Sequence, residues 1–219
     1  DHGADVIKVE PPQGDETRLW GPPFDQEGIS AYFAGINRNK RTIALDLSKP
    51  EGRDVLMKLL ETADVLIDNF RHGALERIGI SYDKLAARNP RLIYCSISGF
   101  GPSGPLAEER ANDIFMQAFA GNMSITGEEG RGPVKAGMSV ADIGAGLYGV
   151  IGILMALQAR QRTGDAAEVL LAPAFDAEAH LGHVPAQRAL GCRFVPAGDG
   201  HQVFDGCAFQ QSLGKQVTL

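Results

Sequence analysis

The spacing of apolar residues predicts short strands that alternate with helices along most of the chain. Alternating or continuous runs rich in β-branched residues predict strands over residues 4–10, 41–47, 63–70 and 92–98. Helical spacing predicts helices over residues 50–62, 73–79, 81–90, 111–121 and 142–160. The prolines and glycines of residues 11–24 predict a loop after the first strand.

The predicted helix over residues 50–62 begins with a capping signature. Ser48 followed by Glu51 predicts a capping box, and Pro50 suits the first helical turn. One face of this helix is predicted to be apolar and buried, through Val55, Leu56, Leu59 and Leu60.

Residues 138–157, MSVADIGAGLYGVIGILMAL, form a nearly continuous apolar run with Asp142 as the ionisable residue. The run predicts a core helix that ends at Gly164, where Arg160 and Arg162 suit the negative end of the helix dipole. The uninterrupted apolar stretch over 143–157 is shorter than the ~20 residues that a membrane span needs. No membrane partner is therefore expected.

Strands that alternate with helices predict an α/β fold, Rossmann-like, with an open and mainly parallel sheet and helices on its faces. This large domain is assigned to residues 1–163. Since the chain begins directly on a turn into a strand, we expect that the first strand and helix of the domain are missing. Residues 164–219 are assigned to a linker or a remnant of a second, small domain, with a strand at 168–172, a broken helix at 175–190 and hairpin-like turns beyond.

Composition and charge narrow the classes of function. The chain has 219 residues, 44% of them hydrophobic, and a formal net charge of −6. A net negative charge argues against a general nucleic-acid binder, which carries a basic face. The three cysteines lack the spacing of metal ligands and are odd in number, so we expect no metal site and no disulfide framework, and a cytoplasmic location.

Candidate chemistry is expected in the loops that follow the strands, because open α/β sheets bind ligands beyond the carboxyl ends of their strands. Neither a dinucleotide-binding glycine pattern nor a P-loop is present. Basic residues lie in or near these loops: Arg18, Arg38, Lys40, Arg41, Arg71, Arg77 and Arg110. They indicate either a solvated surface or a site for an anionic, phosphorylated ligand. Trp20 and Phe70 either stack on a purine or pack in the ordinary way.

Long motifs carry a resemblance to a known family. GADVIKVEPPQGDETRLWGPP, NRNKRTIALDLSKPEG, ADVLIDNFRHGALERIGISYDKL, NPRLIYCSISGFGPSGP and the region from NDIFMQAFAG to GVIGILMAL follow one another in the order found in the family III coenzyme A transferases. The chain resembles that family over residues 3–164. Formyl-CoA:oxalate and carnitine CoA-transferases are members, and α-methylacyl-CoA racemase is a relative.

The resemblance implies a site and a reaction. Asp142 falls on the aspartate that attacks an acyl-CoA and becomes an aspartyl-CoA thioester, and Asp113 falls on a second catalytic acid. Coenzyme A is the implied co-substrate, with no covalently bound cofactor, and a small carboxylic acid is the acceptor. The residues assigned to coenzyme A are Asn69, Phe70, Arg77, Arg110, Lys40 and Arg41, and those assigned to the substrate pocket are Trp20 and Asn112. An interlocked homodimer is the implied assembly.

Three alternatives stay open. From the residues alone, Asp142 is either a nucleophile held at a helix start or an ordinary helix N-cap. Within the family, the second alternative is an acyl-CoA racemase. Racemisation needs a base on each face of the α-carbon, and Asn112 stands where the racemase has a histidine, which argues against this alternative. The third is an inactive fragment that binds coenzyme A, since TGDAAEVLLAPAFDA lacks the glycine and glutamine of the family pattern.

Overall fold

The computed structural model describes residues 2–164, 167–171, 192–196 and 217–218. Its strands are β1 (Ile7–Glu10), β2 (Arg41–Ala44), β3 (Val65–Asp68), β4 (Ile93–Ile97), β5 (Ala167–Leu171), β6 (Cys192–Pro196) and β7 (Val217–Thr218). Its helices are α1 (Ala31–Ile36), α2 (Pro50–Leu60), α3 (Ala74–Arg77), α4 (Tyr82–Arg88), α5 (Asp113–Phe119) and α6 (Val140–Thr163). Glu16–Leu19 and Asn122–Ser124 form short 3-10 helices.

The strands form one sheet in the order β2-β1-β7-β3-β4-β5-β6. Strand β1 is parallel to β2, and β3, β4 and β5 are parallel to one another. Both β1 and β3 are antiparallel to β7 and are therefore parallel to each other, whereas β6 is antiparallel to β5. The predicted α/β class with a mainly parallel sheet is confirmed. The carboxyl ends of β1 to β5 consequently share one edge of the sheet, called the carboxyl edge below.

Helices α2 and α4 cover one apolar cluster against the first strands. Its buried members include Val9, Leu56, Leu60, Leu66, Leu75, Leu85 and Leu92. The predicted face of α2 is confirmed for Leu56 and Leu60, but it is wrong for Val55, which is 38% exposed. Met57 packs against the cluster instead.

The predicted capping box at the start of α2 is wrong. The N-cap is Lys49, and it makes no side-chain capping bond within the described part of the chain. The Ser48 hydroxyl donates to the Asp46 carboxylate (2.6 Å), and the same oxygen accepts the Ser48 N–H. The local turn therefore uses the serine before the helix begins.

Helix α6 packs on the sheet through small residues. Ala145, Gly149, Gly152 and Ala156 are buried, and α6 contacts β4 and β5. A Cβ added at Gly152 would lie 2.7 Å from Val169 Cγ1, so this position allows the helix to approach β5 closely.

The carboxyl-terminal end of α6 is fixed by Arg160. Its Nη1 donates to the Arg91 carbonyl (2.6 Å) and its Nη2 to the Asp64 carboxylate (2.5 Å). The helix ends at Gly164, as predicted, in a left-handed conformation with φ of 83°.

By length and composition α6 could cross a membrane, because it has 24 residues and a mean hydropathy of 1.9 over its most apolar window. The sequence comparison counted only the apolar stretch over 143–157, so it underestimated the length of the helix that could cross a membrane. Core helices of globular proteins meet the same criterion, and α6 packs one side on the sheet. The absence of a membrane partner stays a prediction.

Several of the described elements were not predicted from the sequence, and strands β6 and β7 and the 3-10 helix Asn122–Ser124 are among them. Helix α1 was not predicted, and the loop after β1 contains the 3-10 helix Glu16–Leu19. The strand predicted at 168–172 corresponds to β5. The helix predicted at 175–190 and the late turns lie outside the described residues, and the division at residue 163 stays a prediction.

Candidate active site

Asp142 is the third residue of α6, in its first turn. Both carboxylate oxygens are buried, each exposing less than 1 Å². The N-cap is Ser139, not Asp142, so the interpretation of Asp142 as an N-cap is wrong. A carboxylate at this place lies close to the positive end of the helix dipole, which favours its ionised form.

The Asp113 carboxylate lies against the start of α6. Its Oδ1 accepts the N–H groups of Ala141 (2.9 Å) and Asp142 (3.4 Å). Ser139 makes no side-chain capping bond within the described residues, so a residue of another helix supplies the acceptor that a helix N-terminus needs. The structure therefore brings the two acids predicted as catalytic together, and it places Asp113 as a support of the turn that carries Asp142.

Gln117 is a site residue that sequence reasoning missed. It is 1% exposed, and its Nε2 donates to Asp113 Oδ2 (2.6 Å) while its Oε1 accepts the Ala136 N–H (2.7 Å). The signal available in the sequence was a glutamine four residues after an acid on a predicted helix, a spacing that places both on one face.

Asn112 is the N-cap of α5, and its Oδ1 accepts the Phe115 N–H (2.9 Å). A carboxamide is not a proton-transfer group at neutral pH, and this one serves as a cap. The geometry thus gives Asn112 a positional role next to Asp113 and supplies no base at the place of the racemase histidine.

Trp20 lies after β1, at the carboxyl edge, and is 42% exposed. Its ring packs on that of Tyr32, with centroids 5.4 Å apart and planes at 35°. Tyr32 belongs to the unpredicted helix α1, which is why the sequence did not indicate this pair. Together the two rings form an exposed aromatic surface beside the loop.

A buried network of charges holds the Trp20 loop. Lys8 Nζ lies 2.5 Å from Asp15 Oδ2 and 3.1 Å from Glu10 Oε1. Arg18 donates to both Glu10 oxygens, each at 2.9 Å. Burial opposes ionisation of Glu10 and Asp15, but hydrogen bonds from Arg18 and Lys8 to Glu10, and from Lys8 and Thr17 to Asp15, outweigh it and lower both pKa values. The Arg18 guanidinium, one of the basic groups considered for an anionic ligand, is therefore paired with Glu10 of this chain.

The loop after β3 presents several predicted coenzyme A residues at the carboxyl edge. Asn69 donates to the Ile97 carbonyl (2.8 Å), which ties this loop to the end of β4. Phe70 is half-buried, and Arg77 is exposed with Nη1 donating to the His72 carbonyl (3.4 Å). A pocket here is lined by Asp68, residues 71–76, Tyr94 and Ser96. The exposed Arg110 follows β4 and precedes α5.

Asp68 is a buried acid at this pocket. Its Oδ2 accepts the Tyr94 hydroxyl (2.6 Å) and its Oδ1 the Phe70 N–H (2.9 Å). Burial raises the pKa of Asp68 to about 6, against the lowering effect of the bonds from Tyr94, Phe70 and Ser96. Burial and the Asp68 charge raise the pKa of Tyr94, so the hydroxyl remains the proton donor of the pair.

Lys40 and Arg41 lie at the start of β2, at the opposite edge of the sheet. Arg41 pairs with Asp5 through two hydrogen bonds of 3.0 and 2.6 Å. Lys40 donates to Asn37 Oδ1 (3.0 Å), and burial together with the nearby Lys8 charge lowers its pKa. The backbone of these two residues therefore starts away from the carboxyl edge, whereas the Lys40 ammonium lies close enough to Lys8 and Asp15, in the network behind the Trp20 loop, for both charges to act on it. The contact of Lys40 and Arg41 with coenzyme A stays a prediction.

In the part of the chain that the structure describes, no group of three or more histidine, cysteine, aspartate or glutamate side chains is arranged to hold a metal ion.

Comparison with known proteins connects this geometry to a family. The family model described as CoA-transferase family III matches residues 1–210. A succinate–glutarate CoA-transferase of Agrobacterium fabrum is 48% identical over 178 residues, which cover 78% of this chain and 44% of that protein. A formyl-CoA:oxalate CoA-transferase of Streptomyces avermitilis is 42% identical over 163 residues, covering 74% and 39%.

A solved structure gives the same result. The crystal structure of a CAIB/BAIF family protein from Brucella suis matches with a TM-score of 0.75 and 50% identity, covering 78% of this chain and 46% of that one. The chain spans less than half the length of these relatives. With its family model matched along nearly the whole sequence, the chain belongs to CoA-transferase family III.

Proposed function

We propose that the protein to which this chain belongs transfers coenzyme A from an acyl-CoA to a carboxylic acid, with Asp142 as the nucleophile. The observation that carries the proposal is the place of Asp142. Its two oxygens are buried in the first turn of a long helix, next to a second acid that supports the same turn. The relatives named as CoA-transferases support the class of reaction.

The chemistry needs only a carboxylate and exclusion of water. The Asp142 carboxylate attacks the thioester carbonyl carbon. The C–S bond then breaks, which releases coenzyme A as a thiolate and leaves an acyl–aspartyl anhydride on the protein. The thiolate then attacks the aspartyl carbonyl, and the donor acid leaves as a carboxylate. An aspartyl-CoA thioester remains.

The second half repeats these steps in reverse order. The acceptor carboxylate attacks the aspartyl thioester and expels the thiolate, which gives a second anhydride. Attack of the thiolate on the acceptor carbonyl forms the new acyl-CoA and restores Asp142. Both anhydrides hydrolyse in water, so burial of the carboxylate oxygens favours transfer over hydrolysis.

Coenzyme A is proposed to bind along the carboxyl edge. Asn69 and Phe70 lie at the end of β3, and Arg77 and Arg110 bring exposed positive charge to the same edge. Guanidinium groups bind phosphates through paired hydrogen bonds, which suits the phosphates of coenzyme A. Trp20 and Asn112 are proposed to contact the acyl group or the acceptor acid.

Trapping with hydroxylamine tests the proposal. The chain is incubated with succinyl-CoA or acetyl-CoA, the donors suggested by the relatives' names, and hydroxylamine is added. We expect an aspartyl hydroxamate on the peptide that contains Asp142, and none in Asp142→Asn. The exposed Asp54 offers the matched control, since Asp54→Asn is expected to behave as the wild type. An unmodified Asp142 peptide refutes Asp142 as the nucleophile, and retention of coenzyme A by that chain in equilibrium dialysis would then identify it as a binder without turnover.

The racemase alternative has its own signature. A racemase exchanges the α-proton of a 2-methylacyl-CoA with deuterated water, whereas the transfer mechanism leaves that proton in place. Exchange without hydroxamate would replace the transferase proposal. The N-cap role of Asn112 favours the transferase, because the site then lacks the second base at this position.

A homodimer in the cytoplasm is proposed as the assembly and location. The location rests on the cysteine pattern alone. The support for the dimer is the outward face of α6, which exposes 46–62% of each of several large apolar side chains, namely Ile143, Leu147, Val150, Ile151, Leu154 and Met155. Apolar patches of this kind mark interaction surfaces. Light scattering on the purified chain is expected to give the mass of a dimer, and a monomer at every concentration contradicts the proposal. Co-sedimentation with lipid vesicles would assign the face to a membrane instead.

A further inference from the structure

Gln117 joins three parts of the molecule through its side-chain amide. Its Nε2 donates to Asp113 Oδ2 (2.6 Å) and to the Met138 carbonyl (3.4 Å), and its Oε1 accepts the Ala136 N–H (2.7 Å). The amide is buried with the rest of the residue. The amide nitrogen therefore bonds both to α5 itself and to the segment that leads into α6, and the amide oxygen bonds to that same segment.

From Gln117 the hydrogen bonds continue to the backbone of Asp142. The Asp113 oxygen that Gln117 leaves open accepts the N–H groups of Ala141 and Asp142. The segment over residues 131–138 is largely exposed, so these bonds to Ala136 and Met138 are a main constraint on the entry into α6. Buried polar bonds of this kind are costly to leave unmade, which makes such a network rigid when all its members are paired.

We infer that Gln117 is a positioning residue, which acts through Asp113 to hold the first turn of α6 and thereby the Asp142 carboxylate. The inference rests on the proposed function of Asp142 for its catalytic meaning. Gln117 touches neither substrate nor reacting atoms in this role. It keeps Asp113 turned toward the helix amides and keeps residues 136–138 at a constant distance from α5.

The substitution Gln117→Glu tests this with little change in size. At neutral pH the new carboxylate faces the Asp113 carboxylate at hydrogen-bond distance, and two like charges so close repel. The side chain also loses its donor to Asp113. At acidic pH the protonated group regains an O–H donor, so the damage should be reversible with pH. A residue that only filled space would also respond to a buried charge, but along the whole chain and not first at the Ala141 and Asp142 amides.

Hydrogen exchange at single amides provides the measurement, without any ligand. Relative to the wild type at the same pH, we expect the Ala141 and Asp142 amides of Gln117→Glu to exchange about tenfold faster at neutral pH, the size of effect that loss of one buried hydrogen bond gives. Burial and the Asp113 charge raise the pKa of the new glutamate above the ~4.3 of a free one, so near-wild-type protection should return as the pH falls from neutral through that raised value. The exposed Gln158 of α6 offers the matched control, and Gln158→Glu should leave both amides unchanged.

Two results overturn the inference. The first is wild-type protection of both amides in Gln117→Glu at neutral pH. The second is a uniform rise in exchange along the whole chain that acid does not reverse, which indicates a purely structural role. If Gln117→Glu does not fold, Gln117→Asn keeps the amide but shortens it, and the same local loss of protection is expected at every pH. Wild-type protection of both amides, or a uniform rise in exchange along the chain, then overturns the inference.

The trapping reaction separates this inference from the proposed function. With Asp142 active, the rate of hydroxamate formation should fall roughly 10–100-fold in Gln117→Glu at neutral pH, as expected for a displaced reacting group, and recover partly in acid. An unchanged rate and pH profile overturns the positioning role while the nucleophile stands. If wild-type Asp142 forms no hydroxamate, the proposed function fails, and the exchange experiment still decides whether Gln117 holds the turn.

Discussion

Replacing Asp68 with asparagine should remove a pH-dependent loss of stability. Asp68 is 2% exposed, and its pKa is raised from 3.8 to about 6. An acid whose pKa is higher in the folded state than in the unfolded state stabilises the fold at low pH, and that contribution is lost as the pH rises through the two values. The wild type should therefore lose stability between about pH 4 and about pH 6.

The magnitude follows from the two pKa values. At about 1.4 kcal/mol for each pH unit between 3.8 and about 6, the loss is up to about 3 kcal/mol. Asparagine has nearly the same shape, can still accept from the Phe70 N–H, and can donate to the Tyr94 oxygen. Relative to the wild type, Asp68→Asn should gain up to about 3 kcal/mol in free energy of unfolding between about pH 3 and about pH 8.

Urea titrations across this pH range measure the effect. Tyr94→Phe serves as a second probe, because it removes a hydrogen bond that lowers the pKa of Asp68; the loss of stability should then extend to higher pH. Asp54→Asn, an exposed carboxylate on α2, should follow the wild-type profile. The reasoning is refuted if the free energies of Asp68→Asn and the wild type differ by a constant amount at every pH.

Two further predictions concern the packing of α6 and the charges behind Trp20. A Cβ at Gly152 meets a methyl carbon of the β5 valine at 2.7 Å, whereas one at Gly146 has no atom within 4 Å. In urea titrations Gly152→Ala should therefore lose about 1–3 kcal/mol from overpacking, while Gly146→Ala should gain about 0.5–1 kcal/mol from helix propensity. Glu10→Gln weakens the buried ion pair with Arg18 and so loosens the loop that carries Trp20, the single tryptophan. The fluorescence emission maximum of Trp20 should then shift to longer wavelength, and its ring should become more accessible to the quencher acrylamide.

Each of these has a clear contrary result. Equal changes in stability for the two alanine variants would mean that β5 does not restrict the helix. For the charge network, Glu27→Gln is an exposed control, and identical Trp20 spectra in it and in Glu10→Gln would show that the network does not hold the loop. The pKa of Glu10 is lowered in the folded state, so the wild type should also lose stability as the pH falls below the usual value of 4.5, and Glu10→Gln should reduce that loss.

Local pattern determined much of this protein. The alternation of strands and helices, the buried face of α2 through Leu56 and Leu60, and the length of α6 up to Gly164 all follow from side chains a few residues apart. Helical and strand periods act over such short distances, and so does the placement of an acid in the first turn of a helix. From the residues alone Asp142 was either a nucleophile or a helix N-cap, and the resemblance to the family III coenzyme A transferases is what named it as the candidate nucleophile.

The tertiary structure alone decided which groups Asp142 and the loops have as partners. Asp113 accepts from amides 28 and 29 residues further along the chain, and β7 enters the sheet between β1 and β3 from the end of the chain. Arg41 lies at the first residue of β2, whereas Arg77 follows the last residue of β3, so the parallel direction of the strands places them at opposite edges of the sheet. Sequence shows which side chains can form hydrogen bonds and ion pairs, but the choice among distant partners depends on how the sheet and helices bring them together in space.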